Sequence, residues 1–300
     1  MRLGAPPAHS RVGRRTALTI AAAAVLSWLV GALPWVLTGL RLPISPAWPS
    51  VTPDTGPWVA LPFGEYQAQP LVSAGVIGGA VAVAVALVLR APAWSGAVAA
   101  VLGLGAALTQ TLVTTHRLLG DSGEAQLLWR ALGLAGVLAL LSGPLVGWWL
   151  RQRSITAALG AGTLVCLGQG WVLDLLVGDD VITGPTPWLL RYSEWSLSFL
   201  LAGALVGMGW RTMEAAVRWA VVLGTVWAGT ALLAAATYAV AYAGSGGISS
   251  PAPAELVDAA ADVFLSALLS PDQGLGQLLI GVLLAALVAV VVEARRRLRR

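Results

Sequence analysis

Eight apolar runs of roughly twenty residues divide the chain, and that feature leaves few folds open. They fall at 16–38, 70–89, 95–115, 127–150, 155–178, 194–210, 219–243 and, as a core, 277–292. An α-helix rises ~1.5 Å per residue, so ~20 apolar residues cross the ~30 Å hydrocarbon core of a bilayer. A helix also pairs its own backbone polar groups, which lipid cannot do for it. The fold class expected is therefore all-α: a polytopic integral membrane protein of about eight transmembrane helices. Only 11% of the residues are charged and the mean hydropathy is +0.80, where a soluble domain carries about a quarter charged residues. The lipid bilayer is the first partner this composition implies.

Charge placement sets the orientation. Arg2, Arg11, Arg14, Arg15, Arg90, Arg151, Arg153, Arg211, Arg218, Arg295, Arg296, Arg297, Arg299 and Arg300 fall on one side, with only Glu214 and Glu293 among them. Arg41, Arg117, Arg130 and Arg191 fall on the other side with all the remaining acids. Basic residues collect on the cytoplasmic face, so both termini are expected there. The first run follows an Arg pair like a secretory signal, but it is long, no A-x-A site follows, and seven more runs come after. It reads as a retained signal-anchor. All basic residues are Arg and none is Lys, which points to GC-rich coding and a bacterial cell membrane. The high pI reflects this sorting, and no nucleic-acid partner is expected.

The resulting plan is an Arg-rich cytoplasmic N-terminus at 1–15, then a first four-helix half at 16–150 with an external Pro/Trp-rich loop at 39–69. A second four-helix half follows at 151–293, and an Arg-rich cytoplasmic tail at 294–300. Within the second half, 254–269 repeats apolar residues every three or four positions, with Glu255, Asp258 and Asp262 largely opposite. This predicts an external amphipathic helix. A membrane-surface helix usually carries Lys or Arg on its polar face, so this one is expected to pack on the protein's own outer face.

Two loop stretches echo each other. TGPWVALPFGEY at 55–66 and TGPTPWLLRYSEW at 183–195 share Thr-Gly-Pro, then Trp, then an acid. Each precedes an even-numbered run. A 4+4 parallel internal repeat about an axis along the membrane normal would produce this. Chance is the other reading, since Pro, Gly and Trp are common at membrane interfaces.

Polar groups at membrane depth mark candidate sites, because a central charge costs ~2.5–3.5 kcal/mol on insertion scales. Asp174 lies about four residues, or ~6 Å, below the outer end of its run. Arg130 lies at similar depth in the preceding run, and the short turn between the runs suggests antiparallel neighbours whose side chains pair. Such a pair is either a gate or ion-coupled carboxylate, or a structural ion pair. Gln110 and Gln169 are candidates for hydrogen-bonding a substrate or for linking helices. Glu65 and Glu194 precede runs two and six, where a carboxylate favours a helix N-terminus, or else the two flank one vestibule. Pro34 and Pro144 are expected to kink their helices, and the small-residue runs 75–79 and 203–207 to allow close packing.

Several functions are disfavoured by what is missing. Cys166 is the sole cysteine and His9 and His116 the only histidines, so disulfides, thiolate clusters and multi-His metal sites are not expected. There is no Walker lysine, G-x-S-x-G or H-E-x-x-H motif, and no cofactor, metal or catalytic residue is assigned. Three readings stand in order: a transporter or permease subunit, whose Arg-rich inner face could dock a cytoplasmic or membrane protein partner; a non-catalytic assembly, scaffolding or envelope-biogenesis component; and an outer-face enzyme on lipid-linked substrates drawing on Asp54, Glu65, Asp121, Asp174, Asp179 or Asp180.

Overall fold

The structure is a computed structural model and describes residues 8–45, 47–52, 56–152, 154–177, 187–244, 253–270 and 274–299. The described residues form an all-helical protein: α1 (Ala8–Gly31), α2 (Leu33–Leu37), α3 (Ala68–Val88), α4 (Ala93–His116), α5 (Gly123–Arg151), α6 (Ile155–Val177), α7 (Pro187–Met208), α8 (Met213–Gly244), α9 (Pro253–Leu269) and α10 (Leu275–Leu298). Six of them, α3, α4, α5, α6, α8 and α10, are long and apolar enough to cross a membrane. That fits a multi-pass membrane protein. Within the residues whose side chains are described, α1 and α7 show shorter apolar stretches, at Arg15–Gly31 and Trp195–Met208. We call the end of the bundle holding 39–67 the loop end and the opposite one the arginine end.

The first apolar run is not one helix. Pro34 has no N–H, so the carbonyl of Val30 loses the donor that the next turn would supply. The helix stops at Gly31 and restarts as the single turn α2, with Pro34 at its start, where a missing donor does no harm. Pro144, by contrast, is carried inside an unbroken α5.

Glycines set how closely the helices approach. A Cβ on Gly79 of α3 would stand 2.7 Å from the Cα of Gly143 on α5, and one on Gly78 would stand 2.4 Å from the Ser27 carbonyl of α1. Backbones therefore meet directly along α1, α3 and α5, as the small-residue run at 75–79 predicts. The run at 203–207 does not act this way, since Gly203 and Gly207 face open space. On α10 the close approach falls to Gly281, whose Cβ would lie 2.8 Å from Leu201 of α7.

The loop end is closed by a non-helical segment, many of whose described backbone groups find partners. The Arg41 and Trp58 positions form an isolated antiparallel bridge, with Leu42 N–H donating to the Pro57 carbonyl at 3.1 Å and Val59 N–H to the Leu40 carbonyl at 2.9 Å. Side chains complete the pairing. Trp35 and Trp28 donate to the carbonyls of Val59 and Ala60, both at 2.9 Å. Gln110 of α4 accepts from Ala60 N–H at 2.8 Å and donates to the Trp58 carbonyl at 2.9 Å. Thr111 accepts from Leu61 N–H at 3.0 Å. Extended backbone at membrane depth needs such partners, and Gln110 sits six residues, or ~9 Å, inside the end of α4. Below this segment Trp48 and Phe63 are fully buried with ring centroids 6.0 Å apart.

α9 forms as the periodicity of 254–269 predicts, with Glu255, Asp258 and Asp262 exposed. Its position differs from a helix resting beyond the ends of the spans. It runs back along α8, and Trp227, near the middle of α8, donates to the Leu268 carbonyl at 3.0 Å. Ala267 is buried, and Phe264 reaches a groove lined also by Cys166, Gly229 and Leu232. α8 covers much of this apolar face, though Val257 stays exposed.

Candidate functional site

The break at Pro34 creates the site. With α1 stopped at Gly31, the carbonyls of Val30 and Gly31 turn toward α6, and the indole N–H of Trp171 is shared between them at 3.1 and 3.0 Å. A tryptophan from the second half of the chain thus supplies the donor that a proline in the first half withholds. Residues three apart share a face of a helix, so the same rotation of α6 that seats Trp171 presents Asp174 to the space beneath α2.

That space is a cavity of ~100 Å³ at the loop end, on the seam between the two halves. The share of liquid volume per water is about 30 Å³, so it is large enough for a few waters or one small ion. α1 and α2 contribute Ala32, Pro34, Trp35 and Thr38, and the loop and the start of α3 contribute Pro62, Tyr66, Gln67 and Pro70. α6 contributes Trp171 and Asp174. The Trp35 N–H is committed to Val59 and the Thr38 hydroxyl to the Trp35 carbonyl at 2.9 Å. The lining also carries the Asp174 carboxylate, the Tyr66 hydroxyl and the Gln67 amide.

Arg130 is not part of this site. It is exposed near the start of α5, where it lines a separate cleft with His116, Asp121, Gln126 and Trp129. The expected Asp174–Arg130 pair does not form: Arg130 lines the cleft by His116, and Asp174 the cavity beside α2. Toward the loop end α6 leans on α1, α2 and α3, where Gly170 is tight against Gln69 and Trp171 against the end of α1. The cleft around His116 was not singled out by sequence reasoning, and the closeness of His116 and Asp121 to the short α4–α5 turn was the signal available.

The remaining candidates scatter. Gln110 links a helix to the loop rather than to another helix. Gln169 is partly buried on α6 and forms no hydrogen bond among the described residues. Glu65 does not cap α3: the N-cap is Gln67, without a side-chain bond, and Glu65 instead accepts from the Ser45 hydroxyl at 2.9 Å. Glu194 does not precede its helix, since α7 starts at Pro187, a residue suited to the first helical turn; its side chain lies outside the described part, as do Asp54, Asp179 and Asp180. The vestibule flanked by Glu65 and Glu194 is therefore not visible here.

Two larger grooves are chemically plainer. The one at Cys166 and Phe264 also holds Ser142, Thr163 and Thr225, but each hydroxyl donates to a carbonyl of its own helix, at 3.2, 2.9 and 2.7 Å. What it shows the lipid is apolar. The one at the arginine end lies between the starts of α6 and α8 around Ile155, Met213 and Val217. No cluster of three or more His, Cys, Asp or Glu suited to a metal exists among the described residues. No protein-family model, curated protein or solved structure matches the chain.

Proposed function

We propose that the chain is a transporter or permease subunit of a bacterial cell membrane, with its solute path entering at the loop-end seam and Asp174 at its mouth. The observation carrying this is the placement of a carboxylate in a cavity shared by the two halves of a membrane bundle. Binding sites of transporters built from repeats lie between the repeats, and ionisable groups inside such bundles mark ion and substrate routes. The reading takes α1 and α7 as further spans, giving eight, with the arginine end and both termini cytoplasmic as the arginine distribution requires.

Helix pairing supports the 4+4 repeat. If α1, α3, α4 and α5 correspond to α6, α7, α8 and α10, the packed pairs α1–α3, α1–α4 and α3–α5 correspond to α6–α7, α6–α8 and α7–α10, and all six exist. Close approaches recur as well: Gly103 of α4 meets Ala24 of α1, and Gly162 of α6 meets Thr225 of α8. The correspondence is incomplete, since α4 packs on α5 whereas α8 and α10 are not a packed pair.

Currents on solid-supported membranes carrying the reconstituted protein, screened over small charged solutes, test the reading. Asp174→Asn is expected to reduce any solute-driven current at least tenfold, while Arg130→Gln leaves it unchanged. A current indifferent to Asp174→Asn would remove the seam from the transport path. A second reading, a docking component for another membrane protein, is favoured by α9, whose exposed face combines Asp258 and Asp262 with Val257, Leu265 and Leu269. A stable partner lost on deleting 254–269, with no solute current at all, would select it.

A further inference from the structure

We infer that the cleft around His116 binds the headgroup of a zwitterionic phospholipid, a phosphate joined to an ammonium, in the leaflet at the loop end. The inference does not depend on the transport reading, since this cleft and the Asp174 cavity share no lining residue. Both signs of charge line it, Arg130 from α5 and Asp121 from the turn between α4 and α5. Both side chains are exposed, and among the described residues neither forms an ion pair. Opposite charges that share a cleft without neutralising each other suit a guest carrying the complementary pair. A guanidinium takes phosphate oxygens through paired, charge-assisted hydrogen bonds, and a carboxylate takes an ammonium. Of the neighbouring charges, Arg117 follows α4 as its C-cap, and the Glu124 side chain lies outside the described part. Part of the lining is held in place: the Trp129 N–H donates to the Thr115 hydroxyl at 3.1 Å, and its ring meets His116 edge-on with centroids 5.1 Å apart.

Depth and surroundings select a lipid over a soluble phosphate ester. Arg130 sits seven residues inside the start of α5, or ~10 Å, from where a long arginine side chain reaches the phosphate layer. Deeper on the same face of α5 come Leu134, Leu138 and Leu141, spaced by four and three and exposed at 61%, 57% and 61%. On α4, Val113 lies three residues before His116 on the shared face and is exposed as well. A charged cleft with an apolar stripe beneath it repeats the order of headgroup and acyl chain. The cleft volume of ~310 Å³ holds about ten water-sized atoms at ~30 Å³ each, enough for a phosphate, a two-carbon link and an ammonium. Headgroup pockets between spans are built on basic side chains, and Asp121 adds the feature that distinguishes a zwitterion from an anionic lipid.

The test is native mass spectrometry of the full chain in detergent, with dioleoyl phosphatidylethanolamine or dioleoyl phosphatidylglycerol added at equal concentration. The second lipid has the phosphate and the chains but no ammonium. The ethanolamine lipid is expected to be retained about fivefold better, the effect of one charge near the membrane surface. Arg130→Gln should weaken retention of both lipids about fivefold. Asp121→Asn should weaken only the ethanolamine lipid and so remove the preference; as an exposed turn position it serves alone where Arg130→Gln fails to fold. Free phosphoethanolamine at the same concentration should not displace the lipid, since it has no chains to lie along Leu134 and Leu138. No preference in the wild type, or retention equal in the wild type and both variants, would overturn the inference. Displacement by free phosphoethanolamine would also overturn it, giving the cleft to a soluble ester, as would a protein dimer in place of the lipid adduct. Solute currents keep this result apart from the transport reading. Selective lipid retention without any current supports the lipid site and refutes transport, whereas an Asp174-dependent current without lipid preference refutes the lipid site and leaves transport standing.

Discussion

At the scale of single residues, the absence of side-chain atoms matters as much as their presence. Gly79 and Gly203 are both helical glycines in apolar runs, yet their surroundings are opposite. A methyl group on Gly79 would meet the backbone of Gly143 at 2.7 Å, and one on Gly203 would meet nothing within 4 Å. Gly79→Ala is expected to cost about 1–3 kcal/mol, the usual range for overpacking a close contact. Gly203→Ala should cost nothing, because alanine is the better helix former by up to ~1 kcal/mol. Thermal unfolding of the two variants in the same detergent checks the contrast. The glycine pattern alone could not rank the two sites, because it is identical in kind at 75–79 and 203–207. What distinguishes them is the neighbour, and Gly143 is sixty-odd positions away from Gly79 in the chain. The same holds for the candidate site. Asp174 stands out in the sequence as a carboxylate in an apolar run, but its setting depends on Trp171 answering a vacancy left by Pro34.

At the scale of elements, chain length and periodicity carried most of the information. A bilayer imposes a minimum helix length, so α3, α4, α5, α6 and α8 begin or end within a few residues of the runs that announce them. The exceptions have local causes. The run at 16–38 is apolar throughout but proline-broken, and α7 starts seven residues ahead of the run at 194–210 because Arg191 and Glu194 interrupt the hydropathy without interrupting the helix. α9 was legible as an amphipathic helix but not as a partner of α8, since periodicity fixes which face is apolar and not what covers it. Its attachment depends on Trp227, whose N–H reaches the carbonyl of Leu268. Trp227→Phe keeps the ring and removes that donor. It should loosen the last turns of α9, read as faster amide hydrogen exchange over 262–269 with exchange in α3 and α5 unchanged.

At the scale of the whole molecule, orientation is the property most open to direct measurement. Cys166 is the sole cysteine and is buried, so a cysteine introduced elsewhere reports alone. The side chains of Trp58 at the loop end and Met213 at the arginine end are 66% and 84% exposed, which makes them suitable places. In intact cells Trp58→Cys should react with a membrane-impermeant maleimide, and Met213→Cys should react only after permeabilisation. The reverse pattern would invert the molecule and place the Asp174 cavity inside.

The last helix invites a different kind of conclusion. α10 packs on α7, with Ser198 donating to the Gln277 carbonyl at 2.9 Å and Glu293 paired with Arg211 at the arginine end. The clusters around α1, α3, α4 and α5, and the seam with α6, hold no residue of α10. During synthesis the chain emerges N-terminus first, and parts fold as they appear. The seam and its cavity can therefore assemble while α10 is still in the ribosome, and the docking of α10 takes α7 as its main template.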